Sequence, residues 1–203
     1  VECVPNFSEG RDESILEGIS RAIESVAEVV LLDVDPGEAT NRTVVTFVGS
    51  PKGVKEAAFH AIATAADLID MRNESGAHAR MGATDVCPFV PVRGVTMDDC
   101  VEIAKSVGER VAEELGIPVY LYEHAASAPE RRNLANVRKG EYEGLSDKLK
   151  DPNWKPDFGD AKFNAGSGAT AIGAREFLIA YNVNLNTKDR RVATDIALDI
   201  REA

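Results

Sequence analysis

Val29-Val30-Leu31-Leu32-Asp33-Val34, then Asp35-Pro36-Gly37, then Thr43-Val44-Val45-Thr46-Phe47-Val48: this stretch decides how the first half of the chain folds. The first run is apolar almost throughout and reads as a buried strand. Asp-Pro-Gly is turn chemistry, since aspartate bonds its own backbone and proline presets φ. The second run is rich in β-branched residues and reads as another strand. Two strands in succession matter because of what flanks them. Upstream, Val1–Asn6 is short and apolar and suits a strand ending in a turn. Asp12–Ala27 follows, with Ile15, Leu16, Ile19, Ala22, Ile23 and Val26 at helical spacing. Downstream, Ser50-Pro51 marks a helix start, with serine as cap and proline in the first turn. That helix carries Val54, Ala57, Ala58, Ala61, Ile62, Ala65 and Ile69 on one face. Met71–Thr84 is polar and reads as a loop. Val86–Val92 is a strand that Pro88 and Pro91 place at an edge or make irregular.

The resulting order, β-α-β-β-α-β, is that of a split βαβ, or ferredoxin-like, unit. It predicts an α+β sandwich: one mostly antiparallel sheet with helices on one face. The other face then needs a ligand, a second subdomain or a partner to cover it. In the second half, Thr96 caps a helix with Met97, Cys100, Val101, Ala104, Val107 and Val111 at helical spacing. Pro118–Tyr122 reads as a strand and Ala128–Arg138 as a polar helix. Glu141–Gly168 has little periodicity, and a loop that long is usually a lid or a binding loop. Phe177–Leu185 reads as the clearest strand and Thr187–Glu202 as a terminal helix.

The 203 residues include 23 Lys+Arg and 34 Asp+Glu, a net charge of -11. Such a chain repels phosphates and anionic lipid surfaces, so neither nucleic acid nor membrane is expected as a partner. Its apolar runs are far below a membrane span. Val1–Phe7 does not read as a signal peptide. Cys3, Cys87 and Cys100 are odd in number and lack C-x-x-C spacing, which predicts reduced thiols in a cytoplasmic protein and no metal site.

Chemistry concentrates in Gly76-Ala77-His78-Ala79-Arg80-Met81-Gly82-Ala83-Thr84-Asp85-Val86-Cys87-Pro88. A glycine-bracketed histidine before an apolar strand is placed over a sheet end, where loop residues do chemistry. Imidazole both takes and gives a proton near neutral pH. The alternative is a hydrogen-bonded surface histidine.

Several blocks together resemble the glutamate formiminotransferases. Val1-Glu2-Cys3-Val4-Pro5-Asn6-Phe7-Ser8-Glu9-Gly10 is similar to the family's amino-terminal signature. Leu32–Asp35, Thr40–Thr43, the His78 run, Gly168–Arg175 and Leu178–Leu185 resemble the same family in the same order. The resemblance implies transfer of a formimino group from N-formimino-L-glutamate to tetrahydrofolate, a co-substrate, in histidine breakdown. It also implies two ferredoxin-like subdomains with folate between them, and a homodimer. Residues 1–185 would form the amino-terminal subdomain, and 186–203 a closing helix leading to a second subdomain outside this chain. His78 matches the catalytic histidine and Asp35 the nearby acid. The folate segment falls on Gly159, Asp160, Ala161, Lys162, Phe163, Asn164, Ala165, Gly166, Ser167 and Gly168. Two rivals share these features: a non-catalytic folate-binding or scaffolding homologue, and an enzyme acting on 5-formyltetrahydrofolate.

The residues fit that chemistry in stated ways. One imidazole can take a proton from the attacking nitrogen and return it to the leaving one. Asp35 either steers His78 and the cationic amidine or simply forms its turn. Both substrates carry carboxylates, so Arg42 and Arg80 are candidate clamps, with surface ion pairing as the alternative. Asn6 and Ser8 either hydrogen-bond the substrate or cap the following turn. The small residues Gly166–Gly173 either admit a flat pterin to the backbone or form a linker. Trp154 and Phe163 either stack on a ligand or anchor the long loop.

Overall fold

The computed structural model describes residues 1–179 and 185–201. β1 (Glu2–Cys3) and β2 (Asn6–Phe7) form one strand interrupted at Val4-Pro5. α1 (Glu13–Glu24) opens on Asp12, whose carboxylate accepts from Ser14 N–H. β3 (Val29–Gly37) and β4 (Arg42–Gly49) make an antiparallel hairpin. α2 (Pro51–Leu68) starts at Ser50, whose hydroxyl accepts from Gly53 N–H. β5 (Thr84–Val90) leads to α3 (Met97–Leu115), which opens on a Thr96/Asp99 capping box and closes on Gly116 in the left-handed region. β6 (Val119–Glu123), a 3-10 turn at Pro129–Arg131, α4 (Leu134–Arg138) and α5 (Glu141–Lys148) follow. A second 3-10 turn at Pro152–Trp154, β7 (Thr170–Ala174) and α6 (Arg190–Arg201) complete the described chain.

The strands join in one sheet, ordered β3-β4-(β1,β2)-β5-β7-β6. The first half is antiparallel, but β5–β7 and β7–β6 are parallel. The sheet is therefore mixed, not mostly antiparallel as the sequence reading has it. Parallel neighbours need long crossovers, and α3 together with the 124–169 excursion supplies them. Nor are the helices confined to one face. Phe7, Phe47 and Phe89 point to the α1, α2 and α3 side, where they meet Ile19, Ile23, Ile62 and Val107. On the other face Val86, Tyr120, Tyr122 and Ala171 are covered by Val137, Leu145 and Leu149 of the α4–α5 excursion. The chain itself thus covers the far face over β5, β7 and β6. Over β3, β4 and β2 that face stays partly exposed.

Other expectations change for local reasons. Val29–Val34 is not buried: β3 is an edge strand, with Val30 59 % and Leu32 57 % exposed. It also runs through Asp35-Pro36-Gly37, so the turn falls later, at Glu38–Asn41, where Asn41 takes positive φ. Proline is tolerated in β3 because an edge strand needs no second donor. The strand expected at Val86–Val92 is Thr84–Val90, ending before Pro91, and as β5 it is central rather than at an edge. Its Pro88 carbonyl accepts from Val4 N–H at 3.2 Å, inside the break between β1 and β2. Glu141–Gly168 is no plain loop, since it contains α5 and the Pro152–Trp154 turn. Ala128–Arg138 is the first 3-10 turn plus the short α4, not one helix. The last described strand is Thr170–Ala174. Residues 175–179 are not strand, and the rest of the expected Phe177–Leu185 strand up to 184 lies outside the described residues. Cys3, Cys87 and Cys100 are buried free thiols, and the Cys3 and Cys87 sulfurs lie 3.5 Å apart in the core.

Candidate active site

Strand register assembles the site on the partly exposed face. Asn6 pairs with Val44 on one side and Val86 on the other, which puts its side chain on the far face. Arg42 lies two residues before Val44 on the same face of β4 and reaches Asn6: its Nη1 donates to Asn6 Oδ1 at 2.8 Å. Asn6 Nδ2 in turn donates to the Val4 carbonyl at 3.1 Å, so the amide orientation is fixed. The same Arg42 Nη1 lies 2.9 Å from His78 Nε2.

The loop carrying His78 is held at both ends. Gly76 sits against the Thr40 carbonyl and Asn41, where a Cβ would collide. Asn41 Nδ2 donates to Glu74 Oε2 at 2.6 Å, and Arg80 Nη2 to the Glu74 carbonyl at 3.0 Å. Further on, Gly82 is wedged against the Ser167 and Ala169 carbonyls. Ser8, buried after β2, donates from Oγ to the Gly82 carbonyl at 2.7 Å. Ser8 and Gly82 therefore tie the His78 loop to the strand that carries Asn6.

The ring's chemistry follows from its neighbour. A guanidinium only donates and does not lose its proton in a protein. His78 Nε2 must therefore accept, which makes the ring neutral with its proton on Nδ1. Nδ1 is buried and makes no well-formed hydrogen bond among the described residues, though the Ala79 backbone lies close enough to favour its proton. Burial first, then the Arg42 and Arg138 charges, push the His78 pKa below the ordinary histidine value, against a smaller opposite pull from Asp85. Asp85 is 1 % exposed on β5. It accepts from Met81 N–H at 2.9 Å and pairs with Arg138 of α4. Burial and the Arg138 charge also lower the Arg42 pKa.

The structure thus brings together Asn6, Arg42 and His78, with Ser8 beneath them. Asp35 lies opposite Val44 on β3, on the same face. It is exposed, and its carboxylate makes no hydrogen bond among the described residues. It acts on Arg42 as a nearby charge and is not hydrogen-bonded to His78. Arg80 turns away: its buried guanidinium pairs with Glu143 of α5 at 2.8 Å. The sequence reading did not single out Asp85 or Arg138. Asp85 left a signal, an acid inside an apolar strand run. Arg138 left none, since only the return of the chain over the sheet brings it there.

The glycine-rich segment divides. Gly159, Asp160, Lys162, Phe163, Asn164 and Ala165 line a cleft of about 530 Å³ against the end of α3, at Ala112 and Gly116. Ala161 is exposed beside it. Gly166–Gly168 turn back under the His78 loop: the Gly166 carbonyl accepts from Met71 N–H and the Ser167 carbonyl from Ala83 N–H. Phe163 packs at a tilt against Tyr142, centroids 5.4 Å apart, and Trp154 against Tyr120 at 6.5 Å, so in this arrangement both rings anchor the excursion. Among the described residues no group of acids, histidines and cysteines is placed to hold a metal ion. No described helix is long and apolar enough to cross a membrane.

Residues 1–175 match the family model of the formiminotransferase domain, N-terminal subdomain. The chain belongs to the formiminotransferase family. It is 57 % identical to the formimidoyltransferase-cyclodeaminase of Dictyostelium discoideum, over all of this chain and 38 % of that protein. It is 49 % identical to the glutamate formimidoyltransferase of Streptococcus pyogenes serotype M1, over 99 % of this chain and 67 % of the relative. The Thermoplasma acidophilum glutamate formimidoyltransferase is 50 % identical over the same shares. The chain thus spans little more than a third of the cyclodeaminase-containing relatives and two thirds of the shorter ones. Within this formiminotransferase-family chain, the blocks carrying Asn6, Arg42 and His78 meet at the described site, while most of the Leu178–Leu185 block lies outside the described residues.

Proposed function

We propose that this chain supplies the proton-transfer half of a glutamate formimidoyltransferase, moving the formimino group of N-formimino-L-glutamate to N5 of tetrahydrofolate. The observation that carries the proposal is the Asn6–Arg42–His78 chain on the exposed part of the sheet. A neutral imidazole is the form able to accept a proton, and the adjacent guanidinium suits a carboxylate-bearing donor. His78 takes the proton that N5 gives up as it bonds to the amidine carbon. It returns a proton to the glutamate nitrogen as the C–N bond of the tetrahedral adduct breaks. Arg42 and Asn6 orient the amino-acid end, and Asp35 stabilises positive charge developing on the amidine.

Tetrahydrofolate enters as co-substrate, and Gly159–Gly168 is its proposed contact. The cleft beside Gly116 and the small residues that continue under the His78 loop support that assignment. The antiparallel β-α-β-β-α-β half supports a ferredoxin-like reading of residues 1–90. We further assign residues 1–185 to the amino-terminal subdomain and 186–203 to the helix leading to the next one. A cytoplasmic homodimer is the implied setting, which sedimentation of the full-length protein tests. The reaction is tested by mixing full-length protein with formiminoglutamate and tetrahydrofolate and following glutamate release. Release that needs both substrates supports the proposal. Folate binding without release would favour the scaffolding reading.

A further inference from the structure

We propose that Arg42 masks the His78 lone pair and releases it when a ligand carboxylate takes the guanidinium. The inference rests on His78 being the proton-transfer group and deepens that reading. In the arrangement described, Arg42 Nη1 serves Asn6 Oδ1 at 2.8 Å and His78 Nε2 at 2.9 Å, one partner for each of its two hydrogens. Nδ1 carries the ring proton and is buried. Neither ring nitrogen can then accept a proton from a substrate: one is occupied and the other already protonated. A base in this position works only after Arg42 lets go.

A carboxylate is the ligand that makes Arg42 let go. Guanidinium–carboxylate bonds are charged on both sides, often bidentate, and roughly twice as strong as neutral ones. Imidazole offers Arg42 a single neutral lone pair. The same exchange also neutralises the closest positive charge beside the ring. The charged groups facing His78 are Arg42 from β4, Asp85 from β5 and Arg138 from α4. Asp85 is already paired with Arg138, which leaves Arg42 as the variable member of the set. Binding of the donor's carboxylate thus uncovers the base and raises its basicity in one event. Arg42 is accordingly a positioning residue for His78 as well as a substrate contact, and an amidine lacking a carboxylate should lose kcat and not only affinity.

Nitrogen-15 NMR of the His78 ring tests this without turnover, with L-glutamate as the probe. In the wild-type chain the ring should titrate below the ordinary histidine range as the Nδ1–H tautomer. Added glutamate should shift Nε2 and move the titration upward. Arg42→Met and Arg42→Ala should start at that higher position, with glutamate moving it little further. A wild-type ring that glutamate leaves unmoved, or that carries its proton on Nε2, overturns the proposal. If both variants unfold, the wild-type tautomer and glutamate arms still decide. Absence of formimino transfer would sink the reaction assignment while leaving these ring signals untouched, so the two failures are distinguishable.

Discussion

If His78 is the proposed proton-transfer group, its environment makes a two-part prediction. His78→Ala in the full-length protein should cut kcat by about 10²–10⁴-fold while folate affinity is kept, as steady-state kinetics and a binding titration would show. A loss under about tenfold is too small for a proton shuttle. The acid limb of the kcat/KM profile should lie below the ordinary histidine range, because burial and two guanidiniums disfavour the protonated ring. The same shift sets the sign for stability. The unfolded chain protonates His78 first as pH falls, so stability drops between the ordinary histidine pKa and the lower folded one. Above that window His78 contributes no slope. Urea melts of His78→Gln should therefore lose less stability on acidification than the wild type. At this scale the sequence singled out His78, Asn6 and Arg42 by residue type and by the blocks that hold them, and the fold brings the three together. The sequence was silent on Arg138 and on the pairing of Arg80 with Glu143, both of which depend on how the chain returns over the sheet.

At the scale of elements, Arg80 and the excursion over the sheet belong together. Arg80 donates to Glu143 and to the Glu74 carbonyl, and its own carbonyl accepts from Tyr142 N–H at 2.8 Å. It therefore joins α5 to the His78 loop. Arg80→Ala should lower stability by about 1.5–3 kcal/mol in a denaturant melt, the cost of losing hydrogen bonds to a charged donor. It should depress kcat by loosening the loop; a pure rise in KM for formiminoglutamate would instead return Arg80 to the substrate. Asp157 does comparable work at the β6 edge: it accepts from Leu121 N–H at 2.7 Å and pairs with Arg131 at 2.6 Å. Both side chains are under 10 % exposed. Asp157→Ala leaves a buried guanidinium uncompensated and should cost about 3–5 kcal/mol, read from the urea midpoint. The helices α1, α2 and α3 were legible because periodicity and caps agree. β7 and α5 were not, since Thr170–Ala174 is short and small-residued and α5 buries only Leu145. Both are set by packing on the far face, which no local pattern announces.

At the scale of the whole molecule, the two sheet edges differ. Asp157 and Phe158 close the outer side of β6, the latter by bridging to Val119. β3 carries no such cover among the described residues, and it is nine residues long. Bare edges of this length invite pairing with another chain. Two features of β3 oppose that. A register shift between Leu31 and Asp33 breaks the flatness of the edge, and Asp33 and Asp35 put exposed charge among Val30, Leu32 and Val34. Sequence alone predicts a buried strand here because apolar content does not separate a covered strand from a guarded edge. The two aspartates were the visible clue. Asp33→Val would leave Val29–Val34 apolar throughout on a strand with an open ladder. Light scattering of that variant should show mass growing with protein concentration beyond any growth in the wild-type chain, while Asp33→Lys, which keeps a guard charge, should behave as the wild type does. Equal masses for all three would mean that the bulge alone protects the edge and that the carboxylates on β3 serve the site across from Arg42 instead.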